Sequence, residues 1–276
     1  MASAPAQAAL LLYEGFDYSA GDLDGNGGWV VSSGDPEVSL NGVLRDSYDG
    51  SYAGVTTTGG YMYNTNATVD YASTSLASSV TSTFTDGSVT WLSLISVRGT
   101  NGAKARYSFA IGADALTGQN GGFVGNEMAG DGIGLTAHDD NDAEAAYWTP
   151  NAAGDDGVAG GTDMPGNTGR DRFTVAKITW SDAGNDTIDW VFFDKGDTMT
   201  EAAWNAAGKS SVSADLDQST FDTLSFASDY VHFDEFRIAT TFDDAVSGTE
   251  VIPEPTSLAL LGLGGLLNAG RRRRRR

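Results

Sequence analysis

The sequence predicts an all-β fold, an antiparallel β-sandwich formed by one large domain, and three observations support this prediction. Short apolar runs recur along the chain, and stretches of Gly, Asn, Asp and Ser separate them. Glycine accounts for 36 of the 276 residues, and Ser and Thr are abundant, which is typical of strands and turns. A sandwich of about 200 to 250 residues is also an ordinary size for a single domain.

The clearest strand candidates are residues 10–16, 80–84, 88–98, 105–111, 172–180, 187–193 and 230–242. In TIDWVFF, Ile188 and Trp190 lie on one face and Val191 and Phe193 on the other, so we expect an inner strand covered on both faces. TEAAWNAAG, which starts at Thr200, is the best candidate for a short connecting helix.

The last strand candidate changes its apolar phase partway along. Val231 and Phe233 share one alternation, whereas Phe236 and Ile238 follow another, and the shift falls at residues 234–235. A β-bulge or a strand bend at that point explains such a shift.

The body of the chain is strongly acidic. The formal net charge is −21, but without the six C-terminal arginines residues 1–270 hold 10 Lys and Arg against 37 Asp and Glu, a net charge of −27. Such a surface repels nucleic-acid phosphates and anionic lipids and favours cation binding, so we expect no nucleic-acid partner. The absence of cysteine excludes disulfides, thiolate metal sites and a cysteine nucleophile.

The N-terminal residues 1–8 end in Ala6-Gln7-Ala8, which is similar to a small-x-small signal-peptidase site. No basic stretch and no apolar stretch precede it. We expect residues 1–8 to be the remnant of a signal peptide that starts further upstream. A frayed terminus without a function is the alternative.

The last 26 residues, VIPEPTSLALLGLGGLLNAGRRRRRR, differ from the rest of the chain. Uncharged residues 256–270 would form an apolar helix of about 22 Å, short of the roughly 30 Å hydrocarbon core of a bilayer. The basic run after it favours the cytoplasmic side of a membrane, which leaves the body exported. That run consists of Arg271, Arg272, Arg273, Arg274, Arg275 and Arg276.

A Pro-Glu-Pro, a short apolar stretch and a terminal arginine cluster, in this order, resemble the PEP-CTERM sorting signal of exported bacterial proteins. The resemblance covers residues 252–276, and it implies that a membrane-embedded exosortase recognises Pro253, Glu254 and Pro255 and removes the tail during transfer to the cell surface. It also implies that the tail holds the protein transiently in the inner membrane. Asn268 departs from the usual apolar pattern.

Two further stretches resemble the concanavalin A-like, laminin-G-like sandwich found in many PEP-CTERM proteins. YEGFDYSAGDLDGNGGWV is similar to the opening of that fold, and FDEFRIATTFDDAV is similar to its last strand. The resemblance implies a jelly roll in which the last strand pairs beside the first. We therefore divide the chain into a sandwich domain, 9–247, and a linker with the sorting signal, 248–276.

No catalytic motif is apparent. Laminarinase-like members of the resembled fold carry a Glu-x-Asp-x-x-Glu strand, and this spacing is missing here. Asp234 and Glu235 are adjacent, so in a regular strand they point to opposite faces. The chain has only His138 and His232 for a hydrolytic triad and no Gly-x-Ser-x-Gly. We expect that the protein is not an enzyme.

Two acidic stretches are candidate calcium sites, because calcium prefers oxygen ligands. In DLDGNG, the oxygens of Asp22, Asp24 and Asn26 recur at alternate positions, although Ser33 stands where an EF-hand loop requires Glu. A simple turn is the alternative there. The other stretch, HDDNDAE, supplies Asp139, Asp140, Asp142 and Glu144, and a solvated loop is the alternative.

Aromatic residues in loop-like contexts are candidate sugar-binding residues, namely Tyr147 and Trp148 first, then Tyr61 and Trp204. Trp91, Trp180 and Trp190 fit a core instead. The resulting hypothesis is an exported, non-catalytic protein of the cell surface or extracellular matrix, processed by an exosortase. A module that binds exopolysaccharide is the first alternative, and a divergent glycoside hydrolase is the second.

Overall fold

Two antiparallel sheets packed face to face form the body, which confirms the predicted β-sandwich. The computed structural model describes residues 9–34, 36–39, 54–57, 60–63, 70–98, 106–115, 132–138, 143–148, 158–159, 171–194, 196–229 and 231–248. The expected signal remnant and the expected C-terminal apolar helix lie outside these residues.

Sheet I contains nine described strands: β1 (Leu10–Glu14), β2 (Gly21–Asp22), β4 (Glu37–Ser39), β5 (Tyr61–Tyr63), β7 (Val89–Arg98), β12 (Asp171–Thr179), β13 (Asp186–Asp194), β14 (Ser210–Ala214) and β16 (Val231–Ala239). Their spatial order is β14-β13-β12-β7-β16-β5-β4-β2, and β1 pairs with the second half of β16.

Sheet II contains seven described strands: β3 (Val30–Ser33), β6 (Asp70–Ser75), β8 (Arg106–Gly112), β9 (Gly132–His138), β10 (Ala143–Trp148), β11 (Val158–Ala159) and β15 (Thr223–Asp229). Their spatial order is β11-β10-β9-β8-β15-β6-β3.

The first and last strands of the body are neighbours, as the resemblance implied. Tyr13 lies opposite Arg237 and Glu14 lies opposite Phe236 in an antiparallel register. Strand β16 also pairs with β7 along most of its length, so it lies inside sheet I and every one of its residues is buried. Residues separated by more than 220 positions therefore meet in the middle of the sheet.

The central strands of sheet I are buried on both faces. On β7, Leu92 and Leu94 face the core between the sheets, whereas Trp91 and Ile95 face a second apolar cluster on the outside. Strand β13 behaves in the same way, which confirms the expected inner strand. The core between the sheets is rich in aromatic rings, including Phe16, Trp29, Trp180, Trp190, Phe226, Phe233 and Phe236.

Short helices cover the outer face of sheet I. Helix α2 (Glu201–Ala206) and helix α3 (Phe242–Ser247) contribute Trp204 and Phe242, whose rings contact Trp91 at centroid distances of 4.7 and 5.4 Å. Thr200 and Thr241 cap their N-termini, because each side-chain oxygen accepts a hydrogen bond from the backbone N–H three residues later. The predicted helix starting at Thr200 is thereby confirmed.

One strand prediction is wrong. Residues 80–84 contain the end of helix α1 (Ser78–Thr81) and hydrogen-bonded turns after it, not a strand. Val80 and Phe84 are both buried, and their spacing of four fits one helical turn as well as an alternating strand. Among the described helices, none is long and apolar enough to cross a bilayer.

Candidate functional site

Strand β16 contains a bulge at the position where the apolar phase changes. Its register with β7 shifts between Asp234 and Arg237, and Glu235 adopts a φ of 57°. This left-handed conformation is costly for a residue with a Cβ, so it marks a position that the surrounding structure holds in place. The expected bulge is confirmed, and it breaks the simple alternation that would place Asp234 and Glu235 on opposite faces.

The bulge brings Glu235 to Arg237, and the two form a fully buried ion pair. An Nη2 to Oε2 distance of 2.5 Å joins them, and both side chains have 0% exposure. Charge at such depth is tolerated only when it is paired and hydrogen-bonded. The Tyr13 hydroxyl donates to the same carboxylate at 3.0 Å, and the Tyr13 ring lies 4.8 Å from the guanidinium carbon.

Arg237 also donates to three backbone carbonyls in different parts of the fold. Its Nε donates to Gly248 at 2.8 Å, Nη1 donates to the carbonyl of Glu235 at 3.1 Å, and Nη2 donates to Thr56. Guanidinium suits this position because its donors point outward in a rigid plane. One side chain therefore connects β16, the segment 54–57 and the residue that follows helix α3.

Glu14 organises the opening of the sandwich. Its Oε1 accepts from the backbone N–H of Phe16 at 2.7 Å, and Oε2 accepts from the Tyr18 hydroxyl at 2.6 Å and from Trp29 Nε1 at 2.9 Å. Burial, the hydrogen bond to Glu14 and its negative charge raise the pKa of Tyr18. The conformation of Phe16, with a φ of 48°, is held by this carboxylate.

The carboxylates of Glu14, Asp234 and Glu235 all accept hydrogen bonds from groups of the sandwich itself. Glu235 is fully buried, so a substrate contacts its carboxylate only if the sheet opens. Asp234 accepts a hydrogen bond from the backbone N–H of Glu235 at 2.8 Å. Glu14 has its two oxygens engaged by three donors. A nucleophile or general acid needs access to the reacting atoms, and full burial denies this access to Glu235 while the sheet is closed.

The predicted calcium ligands near residue 24 lie in a tight turn. Asp24 Oδ1 accepts from the backbone N–H of Val31 at 2.9 Å, and Asn26 Nδ2 donates to the carbonyl of Asp22 at 2.7 Å. These contacts close the turn on itself, which favours the turn interpretation of this stretch. Within the described ranges, no three His, Asp or Glu side chains lie together as a metal site requires.

The other predicted ligands either lie outside the residues that the structure describes or have side chains that it does not describe. Asp139, Asp140 and Asp142 lie between the described strands β9 and β10. The backbone of Glu144, Tyr147 and Trp148 belongs to β10, where these residues pair with Thr136, Ile133 and Gly132 of β9, but their side chains are not described. The predictions for calcium and for ligand binding at these positions stay predictions.

Two aromatic residues predicted to lie in loops, Trp204 and Tyr61, are buried. Trp204 belongs to helix α2 and is 4% exposed, with the Lys209 ammonium 4.4 Å from its ring. Tyr61 belongs to β5 and is also 4% exposed. Helix α2 packs on the outer face of sheet I and places the Trp204 ring against Trp91. Tyr61 is a strand residue whose ring contacts that of His232, so neither ring presents a face to a sugar.

Sequence reasoning missed a groove at the β14 edge of sheet I. Its cavity volume is about 550 Å³, and its lining includes Phe84 together with Asp182, Asp215, Asp217 and Gln218. Gln218 Nε2 donates to Asp182 Oδ1 at 2.8 Å. The lining residues come from three separate segments, so their spacing in the sequence carries no signal of the groove.

Asp186 supports one wall of this groove from within. Its carboxylate accepts from the backbone N–H of Ser181 at 2.9 Å and from that of Leu216 at 3.1 Å, and it is fully buried. Burial raises the pKa of Asp186, although these hydrogen bonds oppose the shift. The carboxylate ties the β12–β13 turn to the segment after β14.

His232 lies on the outer side of β16. It is 6% exposed, and its ring meets that of Tyr61 edge-on at a centroid distance of 6.0 Å. Burial lowers the pKa of His232 to about 4, because desolvation disfavours the charged imidazolium. The imidazole is therefore neutral in the folded protein at pH 7.

The tail matches a known family. Residues 251–275 match the family described as the PEP-CTERM protein-sorting motif. The chain thus carries the sorting signal of an exported protein that an exosortase processes at the membrane. The matched residues include Pro253, Glu254 and Pro255, the apolar stretch and the first five of the six terminal arginines. No curated protein matches the chain.

Solved structures with a similar fold share little sequence with this chain. A β-glucanase of Bacillus licheniformis has 11% identity and a TM-score of 0.40, covering 86% of this chain and 100% of its own. An endo-β-1,3-glucanase from Pyrococcus furiosus has 13% identity and a TM-score of 0.43, covering 84% and 94%. A CBM2 module from Lactobacillus casei phage J-1 has 10% identity and a TM-score of 0.43, covering 84% and 96%.

Replacing Glu235 by Gln is expected to destabilise the protein by about 3–5 kcal/mol, because it leaves the Arg237 charge buried without its counterion. Denaturant unfolding measures the change. Glu201→Gln, on the exposed side of α2, is the matched control and should change stability by less than about 0.5 kcal/mol. Equal stability of the two variants would contradict a central role of the ion pair.

Acid is expected to destabilise the protein partly through His232. Its pKa is about 4 in the folded state and about 6.5 in the unfolded chain, so the unfolded state binds the extra proton between these values. Stability is then lost as the pH falls from 6.5 towards 4, with a slope of at most about 1.4 kcal/mol per pH unit. His232→Gln should remove this part of the slope in unfolding curves measured at pH 7, 6, 5 and 4. Identical slopes for the wild-type protein and His232→Gln would refute a contribution of His232 to acid destabilisation.

Proposed function

We propose that the protein is a non-catalytic component of the bacterial cell surface or extracellular matrix, delivered there by its C-terminal signal. The observation that carries this proposal is the match of residues 251–275 to the sorting motif. In this function the Pro-Glu-Pro is recognised by the exosortase, while the apolar stretch and the arginines hold the tail transiently in the inner membrane. The mature protein is the sandwich without its tail.

The charge distribution of the body supports a role outside the cell. Without the tail, residues 1–247 hold 10 Lys and Arg against 35 Asp and Glu, a net charge of −25, which favours solubility and repels the body from anionic lipid surfaces. The carboxylates of Glu14 and Glu235 hold neighbouring segments of the sandwich together through hydrogen bonds and an ion pair. These features suit a stable surface component whose interaction with the membrane ends with processing.

Polysaccharide binding is a second candidate function, and the groove at the β14 edge favours it. Asp215, Asp217 and Ser219 are exposed there, and Phe84 and Leu216 provide apolar surface beneath them. Carboxylates and hydroxyls that converge over an apolar floor are the usual lining of a pocket for a hydroxyl-rich ligand. A volume of about 550 Å³ is in the range of ligand pockets.

The sorting function predicts that Pro253, Glu254 and Pro255 are required for processing. In a bacterium that contains an exosortase, the wild-type chain should reach the surface without its tail, whereas replacement of the three residues by Ala should leave the full-length chain in the inner membrane. Mass spectrometry of the two fractions measures the difference. Changing all six arginines to Lys, which keeps the positive charge, is the control and should preserve processing.

The second candidate predicts that the body binds a polysaccharide through the groove. On a glycan array that includes exopolysaccharides, the body should bind at least one glycan, and Asp217→Ala should weaken this binding. Asp243→Ala, an exposed change on helix α3, should leave the binding intact. Failure to bind any glycan with calcium present removes this candidate and leaves the first one in place.

A further inference from the structure

The place where the tail leaves the body is held rigidly. Helix α3 buries Phe242, Ala245 and Val246 against sheet I, and the Ser93 hydroxyl donates to the carbonyl of Ala245. These contacts keep the helix on the outer face of β7 and β16, so the last described turn of the chain is part of the folded body.

Gly248, the residue after this helix, is fixed from two sides. Its N–H donates to the carbonyl of Asp244 at 3.0 Å, and its carbonyl accepts from Arg237 Nε at 2.8 Å. A Cβ at this position would stand 2.5 Å from the Asp244 oxygen and 3.2 Å from Leu10 Cδ2, so glycine is required by close packing. The buried ion pair thus holds the residue from which the tail departs.

The sorting motif starts a short distance from this point. Pro253 is five residues after Gly248, and five residues of fully extended chain span at most about 18 Å. A small protein domain is about 30 Å across. Pro253 therefore stays within about 18 Å of Gly248, which is less than the diameter of a small protein domain.

We propose that this short tether makes the processing peptidase contact the body, on the face of helix α3, when it binds the Pro-Glu-Pro motif. The surface around the departure point includes the exposed residues Asp243 and Ser247. Contact at this surface makes the rate of cleavage depend on the position of the body relative to the peptidase as well as on the tail sequence. The inference rests on the proposed sorting function and adds an interaction surface to it.

Lengthening the tether tests the inference. The full chain is purified and incubated with membranes from a bacterium that contains an exosortase, and loss of the tail is followed by mass. An insertion of about ten Gly and Ser residues after Gly248 adds about 18 Å of average reach. The same insertion after Gly184, in the turn between β12 and β13, lengthens the chain without changing the tether and is the matched control.

The tether insertion is expected to raise the rate of processing several-fold, because it relieves the steric crowding between the body and the peptidase. The control insertion is expected to keep the wild-type rate. Equal rates for all three chains would overturn the proposed contact and leave the sorting function intact. Absence of processing in all three would overturn the sorting function, and the contact with it.

A bulky label gives a second readout of the contact. The chain has no cysteine, so Ser247→Cys offers a single site on helix α3 for a maleimide-linked polyethylene glycol. The label should block processing of this variant, and the block should be relieved by the tether insertion. The same label on Ser219→Cys, at the distant groove, should have no effect. Equal processing of the two labelled variants would overturn the proposal.

Discussion

The buried pair of Glu235 and Arg237 is the interaction on which the arrangement of the chain ends depends. The carboxylate and the guanidinium are both removed from water, and such a pair is favourable only when further hydrogen bonds satisfy the remaining donors and acceptors. Those partners are Tyr13 and the carbonyls of Thr56 and Gly248. The first strand, the last strand and the departure point of the tail are thereby joined by one charge pair.

Burial of both faces of sheet I explains why this charge pair lies inside the protein. A sandwich with one solvated sheet face would leave Arg237 in water, but helix α3 and the segment 54–57 cover it. The same covering layer holds Gly248, the residue that follows α3 and from which the chain continues into the tail. The packing of the sandwich and the anchoring of Gly248 therefore depend on the same outer layer of sheet I.

Parts of this site are predictable from local sequence, and parts are not. The change of apolar phase at residues 234–235 indicates the bulge, because strand periodicity is a local property. The partners of the bulge give no such signal, since Tyr13 is 222 residues away from Glu235 and Thr56 contributes only its backbone carbonyl. Trp204 shows the same limit, because its flanking residues Ala203 and Asn205 give no signal of burial and the packing of α2 on sheet I buries its ring.

The sequence by itself determined the alternation that produces strands, the caps of the short helices, the acidity of the body and the sorting signal. Each depends on residues close together in the chain. Tertiary structure alone decided that residues 78–81 form a helix, that α2 and α3 form the layer covering the outer face of sheet I, and that Gly248 is anchored by Arg237. The physical reason is that burial and charge pairing depend on which distant segments pack together, and a local pattern such as Val80 and Phe84 fits more than one such packing.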